Sequence, residues 1–444
     1  MASARGAASC RLLGLAAAAL LMAAAGLRAE TTELTAGRPV VWRDFLGVNA
    51  HFLWFTPPQY QRQMRQLKAL GLNWVRVDLH WDRHEPKENQ FVFAPLDRLV
   101  DELKAQKLKS VFYLVGSAPF ASSALPLLGP SDQFPPKDDK VFAKRMAMLA
   151  RRYPAVDAWQ VWNEPNLPGF WRPLPSPEGY GRLLQASAEA LRAAAPGKPV
   201  VMAGMAYYSQ MPVRGGLMLE ELGKKGTLNL KTIVAYHPYS QQPEGDDPKT
   251  RDFVLRAQQI NARLRQVKAP GIWATEWGWS SYAGPKEEQD IIGRDGQADY
   301  LLRRLALMSA LDYDRVFLFA LSDLDQRASA RDRGYGLLDL AGKPKPAYQA
   351  LARFLAITGP RLEPAPPPRL DAAPDGLYSI GWRKPDGARL WMFWSANGGA
   401  ARLPGVARAT LSQPLSGSSA KLSAAGDSLG VTVKPQLQIL EWRE

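Results

Sequence analysis

Two glutamates, Glu164 and Glu276, are the residues of this 444-residue chain best placed to do chemistry. Glu164 lies in Trp159-Gln160-Val161-Trp162-Asn163-Glu164-Pro165-Asn166, where alternating residues read as a strand that Pro165 cannot extend. Glu276 lies 112 residues later in Gly271-Ile272-Trp273-Ala274-Thr275-Glu276-Trp277-Gly278-Trp279, a second apolar run ending in a carboxylate among tryptophans. Paired strand-tip carboxylates with aromatic neighbours suit cleavage of a glycosidic bond, which needs a proton for the leaving oxygen and negative charge facing the anomeric carbon. A separation of about 5–5.5 Å lets the second carboxylate attack directly and retain configuration, whereas about 6.5–9.5 Å admits water and inverts it. For either glutamate alone, an ion pair with a neighbouring arginine is the plain structural alternative.

Positioning two such residues requires a repeating framework, and the hydrophobic pattern supplies one. Short apolar strands alternate with amphipathic helices from residue 43 onward. The strands are expected at Phe45 to Phe52, Asn73 to Leu79, Ser110 to Val115, the run to Glu164, Pro199 to Ala203, Thr232 to His237, the run to Glu276, and Arg315 to Leu321. Eight units predict a (β/α)8 TIM barrel over residues 30–357, with chemistry on the loops after the strands and the tips of strands four and seven facing each other. An open doubly wound sheet is the alternative, disfavoured because no G-x-G-x-x-G or Walker sequence follows any strand. Leu362 to Leu370 is proline-rich and reads as a linker, and alternating segments beyond it predict a β-sandwich over residues 358–444. Leu34 to Trp42 is a candidate partner for its edge.

The motifs Trp162-Asn163-Glu164-Pro165-Asn166 and Thr275-Glu276-Trp277-Gly278 resemble the acid/base and nucleophile motifs of the retaining glycosidases that carry glutamates on strands four and seven. Within that superfamily the chain resembles glycoside hydrolase family 39, most of all its exported endoglycosidases of biofilm exopolysaccharide. The likeness spans the barrel, including Gly336-Leu337-Leu338 and Lys343-Pro344-Lys345-Pro346-Ala347-Tyr348. It implies Glu164 as acid/base, Glu276 as nucleophile, Asn163 on the sugar 2-hydroxyl, and Arg76 holding the nucleophile ionised. A salt bridge from Arg76 to Asp78 is the alternative. It also implies that His237 or Tyr239, at the end of strand six, touches Glu276.

Further substrate-binding candidates are His51, His80 and Trp81 after strands one and two, with Trp171, Tyr207, Trp277 and Trp279 as stacking platforms. Phe170, Tyr208 and Tyr282 extend that set, and long loops after strands three, four and seven favour a groove and endo action. Strand eight departs from the superfamily pattern, ending Phe319-Ala320-Leu321 where a tryptophan is common. Four scattered histidines without H-x-x-x-H spacing argue against a zinc hydrolase, so neither metal nor cofactor is expected.

Residues 1–29 hold three arginines, no acid and the apolar run Leu12 to Leu27, which reads as an export signal or, uncleaved, a membrane anchor through residues 12–27. Its loss takes the formal charge from +14 to +11 and removes Cys10, the one cysteine, so the exported part relies on its core rather than on disulfides. The basic residues are scattered, which fits solubility better than nucleic-acid binding. The expectation is a monomeric periplasmic enzyme of polysaccharide, with an exo-acting β-xylosidase-like glycosidase and a non-catalytic polysaccharide-binding scaffold as rivals.

Overall fold

The computed structural model describes residues 31–443 apart from 125–126, 128 and 248–250, so the proposed signal or anchor lies outside the described residues. Among these, no helix is long and apolar enough to cross a membrane.

Eight parallel strand positions form the barrel: Leu46–Asn49, Trp74–His80, Lys109–Val115, Ala158–Val161, Val200–Met202 continued by Met205–Ala206, Val234–His237, Ile272–Trp277 and Arg315–Leu318. Each pairs with its sequence neighbours, and the first pairs with the last at Leu46 to Val316. The fifth position is interrupted: Val200–Met202 pairs with the fourth strand and Met205–Ala206 with the sixth, and a bridge from Val201 to Ile233 completes closure. Inward residues Trp74, Val111, Ala158, Val201, Ala235, Trp273 and Phe317 form a separate cluster that fills the barrel's interior, so the barrel is a packed core. Helices cover the outside. The helix Pro57–Ala69 begins with a reciprocal Thr56–Gln59 cap, and Asp138 and Ser176 cap the helices Asp139–Arg152 and Pro177–Ala194 through Lys140 and Gly179.

The C-terminal strands form an eight-stranded sheet faced by an antiparallel pair of strands, Gly399–Pro404 and Ser428–Val433. Alternation along Arg389–Trp394 decides what each face meets. Trp391 and Phe393 pack into the cluster shared with that two-stranded sheet, while Leu390, Met392 and Trp394 join the main core against the barrel. As the candidate partner segment Leu34 to Trp42 anticipates, Thr32–Thr35 and Val40–Val41 belong to the C-terminal sheet, pairing with Tyr378–Arg383 and Arg361–Pro364, so the chain enters the sandwich before it enters the barrel. The start of the expected linker, Leu362 to Pro364, instead lies in the strand Arg361–Pro364, which Pro364 ends.

Candidate active site

A cleft of about 790 Å³ opens at the C-terminal ends of the barrel strands. The loops after the first strand and after the fourth to eighth form its wall, from Trp54 after the first to Arg327 after the eighth. The second and third strands contribute their own ends, Asp78, His80, Tyr113 and Val115, whereas the long loop after strand three, expected to help form the groove, supplies none of the described lining residues. A smaller hollow of about 280 Å³ lies at the other end of the barrel, where Arg38 pairs with Asp312 and Asp314, far from the glutamates along the chain's strands.

Glu276 is held inside the seventh strand, next to a register shift between Ala274 and Trp277 that turns its carboxylate into the cleft. Arg76, wholly buried, donates from Nη1 to Glu276 Oε1 at 2.6 Å and to Asn49 Oδ1 at 2.8 Å, from Nε to Gln160 Oε1 at 2.6 Å, and from Nη2 to Asn163 Oδ1 at 2.8 Å. Its guanidinium also stacks 3.8 Å from the Tyr113 ring centroid. The Tyr239 hydroxyl donates to Glu276 Oε2 at 3.2 Å. Burial pushes the Glu276 carboxyl upward, but the charges of His237 and Arg76 and the Arg76 hydrogen bond outweigh it and leave the pKa lowered.

Glu164 stands just beyond its strand, which stops at Val161. Trp162 and Glu164 both take left-handed backbone conformations, with φ of 72° and 45°, uncommon for residues of their size. Trp162 N to Leu114 O at 3.0 Å, Glu164 N to Gly204 O at 3.1 Å and the Trp162 indole to Phe170 O at 3.0 Å hold this turn. Such strain persists where surroundings over-determine it, and here it aims a carboxylate. His237 Nδ1 lies 2.7 Å from Glu164 Oε1 and its Nε2 3.0 Å from Thr275 Oγ1. Burial and the Glu276 charge raise the Glu164 pKa against the opposing pull of His237.

One oxygen of each glutamate and a His237 nitrogen all lie within 4.8 Å of one another. This trio has the donor types of a divalent-cation site. The Arg76 guanidinium already sits on one of its oxygens, and that fixed charge opposes a second cation. What the arrangement offers chemically is a pair of unlike carboxyls facing one hollow, one favoured with its proton and one without.

The binding candidates divide. Asn163, His51, His80, Tyr207, Tyr239 and Trp279 line the cleft, as does Phe170. Trp81, Trp171 and Trp277 do not. Trp81 is turned into the core by the short helix Trp81–His84 and donates to Glu85 Oε2 at 2.7 Å. Trp171 packs edge-on against Trp162 and Tyr180. Trp277 follows Glu276 on a strand, so alternation sends its ring to the opposite face. Tyr208 and Tyr282 are also buried, and Trp279 spends its indole N–H on Ser240 O and Gln241 O, bracing a loop. His237 approaches Glu164 rather than Glu276, from which it stands 3.7 Å. Arg76 makes no bond to Asp78. Sequence reading missed Asn49, Gln160, Thr275 and Tyr113, and also Tyr335, which lines the cleft. A polar Gln160 in the middle of an apolar strand was the available signal for one of them.

Gly204 makes the His237 position achievable. A Cβ there would collide with His237 Nε2 and lie 2.5 Å from Thr275 Oγ1. Gly204→Ala is therefore expected to displace the imidazole, lower kcat by about 10²-fold and cost about 1–3 kcal/mol of stability, checked by kinetics beside a thermal melt.

The Cellulase family, described as glycosyl hydrolase family 5, has a model that matches residues 34–308. Among solved structures, a family 39 glycoside hydrolase from the gut symbiont Bacteroides cellulosilyticus WH2 aligns with TM-score 0.68 at 19% identity, covering 89% of this chain and 80% of that one. A monomeric beta-xylosidase from Caulobacter crescentus CB15 aligns with TM-score 0.61 at 17% identity, covering 93% and 99%. At such identities the likeness is one of fold, and at that level it bears out the family 39 resemblance. A curated relative, Beta-galactosidase 17 of Arabidopsis thaliana, is 27% identical over 84 residues, 18% of this chain and 12% of that protein, so only a small fraction of its length is matched. With well over half of its residues inside the matched family model, this chain belongs to the Cellulase family, glycosyl hydrolase family 5, and is a glycosidase.

Proposed function

We propose that the protein is a retaining endo-glycosidase that cuts a polysaccharide of the cell envelope or biofilm matrix by double displacement. The observation that carries this reading is the close approach of two carboxyls with opposite pKa shifts. Glu276, ionised, attacks the anomeric carbon while protonated Glu164 gives its proton to the leaving oxygen. Glu164, now a base, then takes a proton from water, which displaces Glu276 from the glycosyl ester at the same face. Asn163 accepts from Arg76 through Oδ1, which leaves its Nδ2 hydrogens for a sugar hydroxyl. Endo action is supported by a cleft walled by the loops after six of the eight strands and near the upper part of the roughly 300–1,000 Å³ range of ligand sites. Residues 1–29 support export to the periplasm, with residues 12–27 as the point of any membrane attachment. The Caulobacter enzyme's monomeric state is in keeping with a monomer here.

Exo action by a β-xylosidase-like enzyme is favoured by one feature: Tyr207 and Arg331 both bond Glu288 Oε2, at 3.0 and 2.8 Å, tying together loops after strands five, seven and eight. Incubation with a panel of polysaccharides and oligosaccharide ladders, with products sized by mass, separates the readings. Mid-length products that keep their anomeric configuration are expected. Single-sugar release assigns exo action, inverted products remove the double displacement, and binding without cleavage returns the scaffold reading.

The activity is expected to be bell-shaped in pH. Its acid limb falls as pH drops through the lowered pKa of Glu276, and its alkaline limb falls as pH rises through the raised pKa of Glu164. Glu164→Ala is expected to remove the alkaline limb and cost about 10²–10⁴-fold in kcat on unactivated glycosides. Aryl glycosides with good leaving groups should lose far less, and added azide should restore turnover and yield a glycosyl azide of retained configuration.

A further inference from the structure

Asp78 stands in the second barrel strand, on the cleft wall, with no part in the chemistry above. Its side chain is 5% exposed, and its Oδ2 lies 3.3 Å from His80 Nε2. Oδ1 is buried and meets no hydrogen-bond donor among the described residues, and the same holds for Nδ1 of His51 on the same wall. A buried carboxylate oxygen without a donor is costly, so such a position points to donors that arrive from outside the chain. Its surroundings indicate which kind. The rings of Trp54 and Phe319 stand edge-on to His51 at centroid distances of 6.2 and 5.3 Å and line the cleft, offering apolar surface beside polar groups. That mixture matches a pyranose, with its C–H faces and hydroxyl rim. The charge balance adds a sign. Setting aside Glu164, which is favoured with its proton, and Glu276, which faces the buried Arg76, the cleft is lined by Asp78, Asp246, Glu288 and Asp332 against two arginines, Arg327 and Arg331, which are themselves paired with Asp325 and Glu288. The cleft is thus acidic although the whole chain carries a formal charge of +14.

We propose that Asp78, with His51 and His80, forms a sugar subsite that accepts hydrogen bonds from two adjacent hydroxyls of a neutral sugar and turns away uronate residues. The proposal rests on the glycosidase reading and specifies its substrate. An ionised carboxylate only accepts, so it suits a vicinal diol, and a second carboxylate brought against it on a poorly solvated wall is repelled.

The test is calorimetric binding to the full chain carrying Glu276→Gln, so that no probe is consumed. The probes are cellohexaose, mannohexaose and xylohexaose, the two hexose oligomers after oxidation of their C6 hydroxymethyl groups to carboxylates, and chitosan hexaose. At least one neutral chain is expected to bind, with its oxidised form weaker by about 10–100-fold. Adding Asp78→Asn should weaken the neutral chain by a similar factor and narrow that gap. Equal binding of neutral and oxidised chains, binding confined to oxidised or amino-bearing chains, no binding at all, or an Asp78→Asn variant indistinguishable from its parent would each overturn the subsite. Should that variant fail to fold, His51→Gln and His80→Gln give the same decision: lost neutral affinity upholds it and unchanged affinity overturns it. Failure of the glycosidase reading looks different, since wild type would then bind these chains but release nothing from aryl glycosides.

Discussion

Glu276→Gln is expected to lower kcat on the order of 10⁴–10⁶-fold, the largest effect of any single substitution in this chain. Glutamine keeps the volume and the oxygen that accepts from Arg76, so the loss is chemical. An amide is neutral and a poor nucleophile. It neither forms the glycosyl ester nor offsets the oxocarbenium charge, and no other described carboxylate shares the 4.8 Å neighbourhood of Glu164 and His237. The measurement is steady-state kinetics on an aryl glycoside, paired with mass spectrometry after a slow 2-fluoro glycoside. Wild type should carry one glycosyl adduct on the peptide containing Glu276, and the variant none. An adduct on another residue, or a kcat within tenfold of wild type, would remove Glu276 from the mechanism.

Arg76→Leu should have the largest combined effect on stability and activity. The guanidinium is buried and bonds Glu276, Asn49, Gln160 and Asn163. Its removal strands a buried carboxylate, a loss of roughly 3–5 kcal/mol when one partner of a buried pair is taken away. The pH dependence carries the sign. Glu276 has a folded pKa below its unfolded value, so it contributes stability above the unfolded pKa, and that contribution is lost as pH falls through the folded one. Without Arg76, burial dominates, the pKa rises, and the same carboxylate opposes folding once pH exceeds its unfolded value. Urea unfolding between about pH 3 and pH 7 should therefore show the gap between variant and wild type widening with pH. The acid limb of activity should move upward in parallel. Glu164 works in the opposite sense: with a raised folded pKa, its contribution is present below the unfolded pKa and lost as pH rises through the folded one. A gap independent of pH would mean that Arg76 acts through packing alone.

The sequence alone determined the properties that repeat or stay local along the chain. Alternating strands and helices specify the barrel because burial at period 2 and period 3.6 is written residue by residue. The two glutamate motifs are contiguous and lie at strand ends, so topology alone brings them to one face. Tertiary structure decided which groups meet across distance and which way rings turn. Arg76 and Glu276 are 200 residues apart, and His237 and Glu164 are 73 apart, so no local pattern encodes either contact. Trp81, Trp171 and Trp277 occupy loops and strand ends like those of Tyr207 and Trp279, yet they pack inward. A short helix, a neighbouring tryptophan and strand alternation respectively set their directions. An indole gains much the same free energy from burial in a core as from covering a cleft, so composition cannot distinguish the two, and the backbone on which each ring stands does.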